Sequence, residues 1–202
     1  MVLYDKPECP FCWKVRLALH ESGYAAELID SQDLEHRSHW QALTPKKTVP
    51  VLITDGGDVI YESNVILEYL AERGNALLPA TPGARIQARL LNSYSDTVVG
   101  PALREIIFEK RDRPRDAWDM DRIKAGELAF ESALDYLAAQ LGQSDYFASE
   151  YSFPECALTA RFGLAEAYGA PIPDRYGNLQ RWFERMKQRP SYRATEPSWK
   201  AT

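Results

Sequence analysis

The chain has 202 residues and a formal net charge of -5, and 45% of its residues are hydrophobic while 26% are charged. This balance is typical of a globular protein and excludes a disordered or fibrous chain, and the lack of a basic excess argues against nucleic acid as a partner. No apolar run approaches the roughly 18 residues of a membrane span. We expect neither a membrane partner nor a signal peptide, because strand-like residues follow Met1 directly.

The first predicted elements form a β-α-β unit. Residues 2–5 have the pattern of a short strand, and a helix is expected from Pro10, with apolar residues on one stripe. Residues 26–30 form a plausible second strand. Since a helix separates the two strands, we expect them to be parallel. Residues 31–44 are polar with scattered apolar positions, so any helix there is weakly supported.

A β-β-α unit follows. Residues 49–53 are short and rich in β-branched side chains, a turn signal covers residues 55–58, and residues 59–61 predict the returning strand. Ser63 has the chemistry of an N-cap for the next helix. This order of elements predicts an α/β thioredoxin-like N-terminal domain over residues 1–78.

The rest of the chain is predicted to be helical. Residues 79–84 contain Pro and Gly and are expected to form a linker. Residues 85–202 show apolar side chains at helical spacing and predict an all-α C-terminal domain. Within it, Ser152 and Glu155 have the spacing of a capping box. We assign this pair a role in stability and no catalytic part.

Two of the three cysteines form a C-x-x-C motif, Cys9-Pro10-Phe11-Cys12, and the third is Cys156. An odd number of cysteines without spread pairs indicates free thiols in a reducing, cytoplasmic compartment. Pro is well tolerated at the first helical position, which makes Cys9 the predicted N-cap. Orphan backbone N–H groups and the helix dipole then favour the thiolate of Cys9, the attacking species in disulfide exchange. Cys12 lies one turn later, where it can attack a mixed disulfide formed at Cys9.

Two other interpretations of the cysteines stay open at this stage. A zinc site would need further ligands, and His36 and His39 are the available histidines. Their distance from Cys12 along the chain is long for a zinc finger and no second C-x-x-C exists, so we expect no metal. The second alternative is that both cysteines only pack in the core.

Two further sequence features can hold a ligand. Pro50 opens a strand, and a cis Val49-Pro50 bond would turn the Val49 backbone outward, where an extended peptide can pair with it. An ordinary turn proline is the alternative. Glu62 can hold an ammonium group and Ser63, at a helix start, can hold a carboxylate, so the pair suits an amino acid zwitterion. A plain cap and a solvated acid would look the same in the sequence.

Together these three features resemble the glutathione transferase superfamily along the whole chain. The motif Cys9-Pro10-Phe11-Cys12 is similar to that of cysteine-type members, the omega-like transferases and the two-domain glutaredoxins. Omega-like members usually have another residue where Cys12 stands, which favours dithiol chemistry here. The closing residues 189–192 also look like the end of the last helix in this superfamily.

The resemblance implies roles for the site residues. Cys9 would form a mixed disulfide with glutathione, and Cys12 would be its candidate second catalytic thiol. Phe11 would pack near the tripeptide, Val49 would pair with its cysteinyl backbone beside a cis Pro50, and Glu62 and Ser63 would hold the γ-glutamyl end. His36 and Arg37 are the candidates for the glycyl carboxylate.

The resulting functional hypothesis is an enzyme, a glutathione-dependent thiol transferase with glutathione as co-substrate. Its second substrate would be a small electrophile or a disulfide. Two alternatives remain: a transferase that conjugates glutathione, and a non-catalytic, stress-related interaction protein on the same fold. Most relatives in the superfamily are homodimers, which predicts a homodimer here, although the two-domain glutaredoxins are monomers.

Overall fold

A computed structural model describes residues 1–74 and 76–199. One mixed sheet is formed by four short strands, namely β1 (Val2–Asp5), β2 (Glu27–Asp30), β3 (Val51–Ile53) and β4 (Val59–Tyr61). Their order across the sheet is β2-β1-β3-β4. Strands β1 and β2 are parallel, whereas β3 pairs antiparallel with both β1 and β4. This is the predicted thioredoxin-like arrangement, and it is confirmed.

Three helices accompany the sheet, namely α1 (Pro10–Glu21), α2 (Leu34–Ala42) and α3 (Ser63–Arg73). The centre of this layer is fully buried and apolar, with side chains from β1, β3, α1 and α3, including Leu3, Leu52, Val15, Ile66 and Leu70. Helix α2 was only weakly supported by its polar sequence. It forms because the Asp33 side chain caps it by accepting from the Glu35 N–H, and because Trp40 is buried against Tyr4 and Val51.

The start of α3 differs from the prediction. The N-cap is Glu62, and Ser63 is the first helical residue, with a side chain that is 5% exposed. Glu62 has φ 67° and ψ 114°, a backbone conformation that non-glycine residues adopt only uncommonly. The prediction placed the cap one residue too late because the chemistry of Ser suits a cap and nothing in Glu signals a positive φ.

The chain divides into two units, the first of which joins Met1–Leu78 to Pro190–Ser198. Assigning the whole of residues 85–202 to the helical domain was therefore wrong for this last segment. Helix α9 (Pro190–Thr195) belongs to the first unit because the Tyr192 ring packs at 5.4 Å from the Trp13 ring, and Trp13 Nε1 donates to Thr195 Oγ1 at 3.0 Å.

The second unit consists mainly of Pro79–Arg189. Its helices are α4 (Pro82–Tyr94), α5 (Gly100–Asp112), α6 (Met120–Leu141), α7 (Phe153–Ala167) and α8 (Gly177–Lys187). A π-turn over Ser95–Val99 joins α4 to α5. Helix α4 begins with Thr81 as its cap, three residues before the predicted end of the linker. Within residues 79–199 the extended structure is limited to one isolated bridge between Ala148 and Glu150, so the predicted helical domain is confirmed.

The core of the second unit is aromatic. Trp182 and Phe162 are each at most 1% exposed, and Phe162 packs edge-on against both Trp182 and Phe183 at 5.9 Å between ring centroids. Such edge-to-face pairs stabilise a core beyond the area that they bury. In the part of the chain that the structure describes, no helix is both long enough and apolar enough to cross a membrane.

Candidate active site

A cavity of about 680 Å³ opens on the first unit. Its walls come from the loop before α1, from α2, from the segment that leads into β3, and from the start of α3. Seven of the residues singled out in the sequence line this cavity together, namely Cys9, Phe11, Arg37, Val49, Pro50, Glu62 and Ser63. Residues more than 50 positions apart in the chain therefore meet at one concave surface, the usual form of a small-molecule site.

Cys9 is the N-cap of α1, with φ -85° and ψ 119°, and Pro10 follows at the first helical position. Its backbone N–H donates to the Lys6 carbonyl at 3.0 Å, which fixes the turn before the helix. The Cys9 side chain makes no capping hydrogen bond to the first turn. It is half-buried and faces the cavity. Its sulfur therefore stands at a helix N-terminus whose backbone donors are not used by a capping side chain.

Cys12 is fully buried and does not line the cavity. Burial raises the pKa of the Cys12 thiol well above its ordinary value, and a hydrogen bond with Cys9 and the negative charges of Cys9 and Asp5 raise it further. Burial and the neighbouring negative charges all disfavour the thiolate form of Cys12. The two cysteines are in contact, but Cys12 is held as a neutral thiol.

A buried ion pair that the sequence analysis missed fixes the loop before Cys9. Arg16 Nη1 donates to both carboxylate oxygens of Asp5, at 2.6 and 2.7 Å, and Arg16 Nη2 donates to the Pro7 carbonyl at 2.8 Å. Burial raises the pKa of Asp5, and the guanidinium of Arg16 opposes that rise. A charged residue on the buried stripe of a helix, opposite an acid that ends a strand, is the sequence signal that could have revealed this pair.

The Val49-Pro50 peptide bond is cis, as predicted. Among the described residues no hydrogen bond involves the backbone of Val49. Because Val49 also lines the cavity, its N–H and C=O groups are available to an extended ligand.

Glu62 and Lys46 form an exposed ion pair at the mouth of the cavity. Lys46 Nζ lies 2.7 Å from Glu62 Oε1, and their side chains are 68% and 46% exposed. The hydrogen bond to Glu62 raises the pKa of Lys46, and the charge of Glu62 adds to this effect. Exposed pairs of this kind contribute little to stability, so the carboxylate of Glu62 can exchange Lys46 for another cation at low cost.

His36 and Arg37 differ in their placement. Arg37 lines the cavity and His36 does not. Ligand atoms of His36, Asp33 and Glu35 lie within 4.8 Å of one another, and the two carboxylates are exposed. Two acids beside His36 make it a poor partner for a carboxylate, while Arg37 has both the positive charge and a position on the cavity wall.

The group formed by Asp33, Glu35 and His36 includes neither Cys9 nor Cys12. Exposed acidic groups of this kind are common without a metal.

The charge of the cavity wall is positive. Lys6, Arg37, Lys46 and Lys47 contribute cations, against the single carboxylate of Glu62. Such a wall favours a ligand that carries more anionic than cationic groups.

Comparison with known proteins places these observations in a family context. Residues 3–76 match the family model described as glutathione S-transferase, N-terminal domain. A stringent starvation protein A homolog from Histophilus somni is 31% identical over 166 residues, which cover 80% of this chain and 68% of that protein. Glutathione S-transferase 3 of Zea mays is 28% identical over 210 residues, covering 96% and 91% of the two chains.

A solved structure extends the likeness to the fold. The glutathione S-transferase of Methylobacterium radiotolerans, determined in complex with glutathione sulfonate, superposes with a TM-score of 0.79 at 26% identity. The match covers 99% of this chain and 96% of that one.

Proposed function

Because the chain belongs to the glutathione S-transferase superfamily, we propose that it is a glutathione-dependent thiol transferase with Cys9 as the nucleophile. One observation carries this proposal: Cys9 lies at the N-terminus of α1, faces the cavity, and makes no capping hydrogen bond. A hydroxyl would suffice to activate the thiol of glutathione. A cysteine thiolate can instead attack the glutathionyl sulfur of a mixed disulfide and become linked to glutathione by exchange.

The proposed binding mode assigns one group of glutathione to each feature of the cavity. The γ-glutamyl carboxylate lies at the N-terminus of α3, beside Ser63, where backbone N–H groups favour anions. Its ammonium group is bound by Glu62, and its cysteinyl backbone pairs with Val49. Arg37, rather than His36, binds the glycyl carboxylate, since Arg37 lines the cavity.

The proposed reaction has two thiol-disulfide exchanges. First, the Cys9 thiolate attacks the glutathionyl sulfur of a mixed disulfide; a bond forms between these two sulfurs, and the substrate leaves as a thiolate that takes a proton from water. Second, a glutathione thiolate attacks the glutathionyl sulfur bound to Cys9, which releases glutathione disulfide and restores the Cys9 thiolate. Electrons flow from glutathione to the substrate, and no metal takes part in either step.

Cys12 is proposed to attack the disulfide between Cys9 and its substrate only when no second glutathione is bound. It contacts Cys9, so an intramolecular disulfide is within its reach, but its raised pKa keeps it protonated. The attacking species is the thiolate. Resolution by glutathione is therefore the proposed main route, and the C-x-x-C pair serves protein disulfides, which it reduces to dithiols while Cys9 and Cys12 form a disulfide.

We further propose that the protein is a homodimer. On the first unit, a second cavity of about 570 Å³ combines exposed Val59, Tyr61 and Val65 with the acids Glu68 and Glu72. On the second unit, α4 exposes Ile86 and Leu90 beside Arg85 and Arg89. Apolar faces with opposite charges are suited to pair between two copies in a twofold arrangement.

Light scattering at micromolar concentration tests the dimer. We expect twice the 23.0 kDa chain mass for the wild type and a monomer for Val65→Glu, which places a charge in the apolar contact. A wild type that scatters as a monomer throughout this range would contradict the dimer proposal.

A disulfide-exchange assay tests the enzymatic proposal. Wild type and Cys9→Ser are compared on a glutathione mixed disulfide of a small thiol, with formation of glutathione disulfide as the readout. We expect turnover by the wild type and none by Cys9→Ser. Conjugation of glutathione to an aryl halide that survives in Cys9→Ser, without exchange in either protein, would instead favour a conjugating transferase. No activity in either assay would favour the non-catalytic alternative.

A further inference from the structure

One lysine lies beneath the wall of the cavity. The Lys14 side chain, on α1, is only 1% exposed. Among the described residues 1–74 and 76–199, no other lysine is buried. Lysine is among the residues least often buried, because its ammonium group loses its hydration.

The ammonium group of Lys14 lies between the two helix starts that build the site. Its Nζ donates to Asn64 Oδ1 at 2.6 Å and lies 5.5 Å from the centroid of the Phe11 ring. Phe11 lies in the first turn of α1 and lines the cavity. Asn64 directly follows Ser63, which also lines the cavity, in α3. A helical lysine side chain runs toward the N-terminus of its own helix, which brings the charge of Lys14 toward the end where Cys9 stands.

Packing alone does not account for a lysine at this position. A methionine has a similar length and would fill the same space without an ionic group. Replacement of buried charged groups by apolar ones of similar volume is often neutral or stabilising. A charge in a water-poor environment, however, acts on neighbouring anions more strongly than an exposed one. The benefit of Lys14 is therefore expected in the site rather than in the stability of the fold.

We propose that Lys14 is a positioning residue with two effects on the site: its buried positive charge favours the Cys9 thiolate, and its bond to Asn64 ties the first turn of α1 to the first turn of α3. The effect of Lys14 on the rate of turnover depends on the proposed thiol transfer. The charge effect itself is a property of Cys9 and can be measured without turnover.

Several other charged or titratable groups act near Cys9 and stay constant in the test. They are Glu8, the buried acid next to Cys9, Cys12 and Arg16 on α1, Asp5 at the end of β1, Lys6 in the loop before α1, Arg37 on α2, and Lys46, Lys47 and Glu62 across the cavity. Because all of them are retained when only Lys14 is changed, a shift in the titration of Cys9 reports the charge of Lys14.

The experiment measures the rate at which iodoacetamide alkylates Cys9 from pH 4 to pH 10, with the site of alkylation read by peptide mass spectrometry. Lys14 follows Cys9 by five residues, which is roughly 8 Å along the axis of α1. A unit charge roughly 10 Å from a titrating group, at an effective dielectric constant of about 20, moves its midpoint by about 1 pH unit. We therefore expect the midpoint in Lys14→Met to lie about 1 pH unit above that of the wild type. Lys14→Arg should restore the wild-type midpoint.

The same variants give a kinetic readout that general damage to the fold would not produce. At a pH below the midpoint, kcat/KM of Lys14→Met should fall about tenfold, in line with its smaller thiolate fraction. The loss should disappear at a pH above both midpoints. Asn64→Ala keeps the charge and removes the bond, so its midpoint should match the wild type while its KM for glutathione rises.

Thermal melting first establishes that each variant is folded, and Lys14→Gln replaces Lys14→Met if the latter does not fold. A folded variant without the charge, whose Cys9 midpoint agrees with the wild type within about 0.2 pH unit, overturns the proposal. If the wild type shows no thiol transfer at all, the proposed function fails, but the alkylation titration still decides the role of Lys14.

Discussion

Helices α1 and α7 begin with the same local pattern, a capping residue followed by Pro in the first turn, yet their N-termini are used in opposite ways. At α1 the cap is Cys9, no side chain bonds to the first turn, and the cap faces a cavity. At α7 the cap is Ser152, which forms a capping box with Glu155. Glu155 accepts from the N–H groups of Ser152 at 2.9 Å and Phe147 at 2.8 Å.

The difference shows what a helix N-terminus can supply. Where the protein's own side chains satisfy the backbone donors, as at α7, the end of the helix is a point of stability in the core. Where no capping side chain uses them and the cap lies in a cavity, as at α1, the same donors and the same dipole are available to an anion, which in the proposed function is the thiolate of Cys9. The comparison predicts that changes at α1 affect chemistry and changes at α7 affect stability.

The largest expected effect is the loss of chemistry in Cys9→Ser. Serine is a better N-cap than cysteine, so the free energy of unfolding should change by no more than about 0.5 kcal/mol. Thiol transfer should fall by about 1,000-fold or more, since the nucleophile is gone. Steady-state exchange rates and urea denaturation of the same protein measure both quantities. A Cys9→Ser protein with a much lower free energy of unfolding than the wild type would show that Cys9 is a structural residue, which contradicts the contrast between α1 and α7.

The opposite result is expected for Glu155→Ala. This change leaves the buried N–H groups of Ser152 and Phe147 without their acceptor and should lower the free energy of unfolding by about 3 kcal/mol. Because the site residues lie in the other unit, kcat/KM of the folded fraction should stay within about twofold of the wild type. Urea denaturation at pH 5 and exchange rates at low temperature test this. Unchanged stability would mean that the capping box contributes nothing measurable.

The stability of the α7 terminus should also depend on pH. Burial raises the pKa of Glu155 from its usual 4.5 to about 7, although the hydrogen bonds from Phe147 and Ser152 oppose this rise. Since the unfolded chain releases this proton at lower pH than the folded chain, the contribution of Glu155 is full below pH 4.5 and is lost as the pH rises toward 7. The loss should reach about 3 kcal/mol relative to Glu155→Gln, which cannot titrate.

Denaturation of both proteins at half-unit steps from pH 4 to pH 8 measures this difference, with other titrating groups cancelling between them. A difference in unfolding free energy that is constant across this range would contradict the raised pKa of Glu155.

The smallest effect is expected for Cys12→Ser on glutathione mixed disulfides. Because Cys12 is buried and held as a thiol, glutathione should resolve the Cys9 intermediate at a rate within about threefold of the wild type. On a protein disulfide that is reduced to a dithiol, the loss should be larger. Parallel assays on both substrate types measure the ratio. If Cys12→Ser is inactive where Cys9→Ser retains activity, the roles of the two cysteines are reversed.

Sequence reasoning succeeded where one local pattern determines the outcome. The cap at Cys9, the cis bond at Val49-Pro50 and the box at Ser152 and Glu155 each depend on residues a few positions apart. The grouping of Cys9, Val49 and Pro50 around one cavity followed from the order of strands and helices.

Sequence reasoning failed where contacts between residues far apart in the chain determine the structure. Residues 190–198 join the first unit because Tyr192 packs on Trp13, which no local pattern reveals. The choice between His36 and Arg37 depends on which face of α2 meets the cavity, and adjacent helical residues point about 100° apart. Lys14 lies in a helix where charged residues are ordinarily exposed, and only the packed structure shows that it is buried.

The most direct test of the central claim is to locate the glutathione adduct. Reduced wild-type protein is treated with a stoichiometric amount of glutathione disulfide at neutral pH, quenched with acid, and its peptides are analysed by mass spectrometry. The account predicts one glutathionyl group, on Cys9, with Cys12 and Cys156 unmodified, and no adduct in Cys9→Ser. An adduct on Cys12 or Cys156 while Cys9 remains free, or a folded wild type with neither an adduct nor a Cys9–Cys12 disulfide, would contradict it.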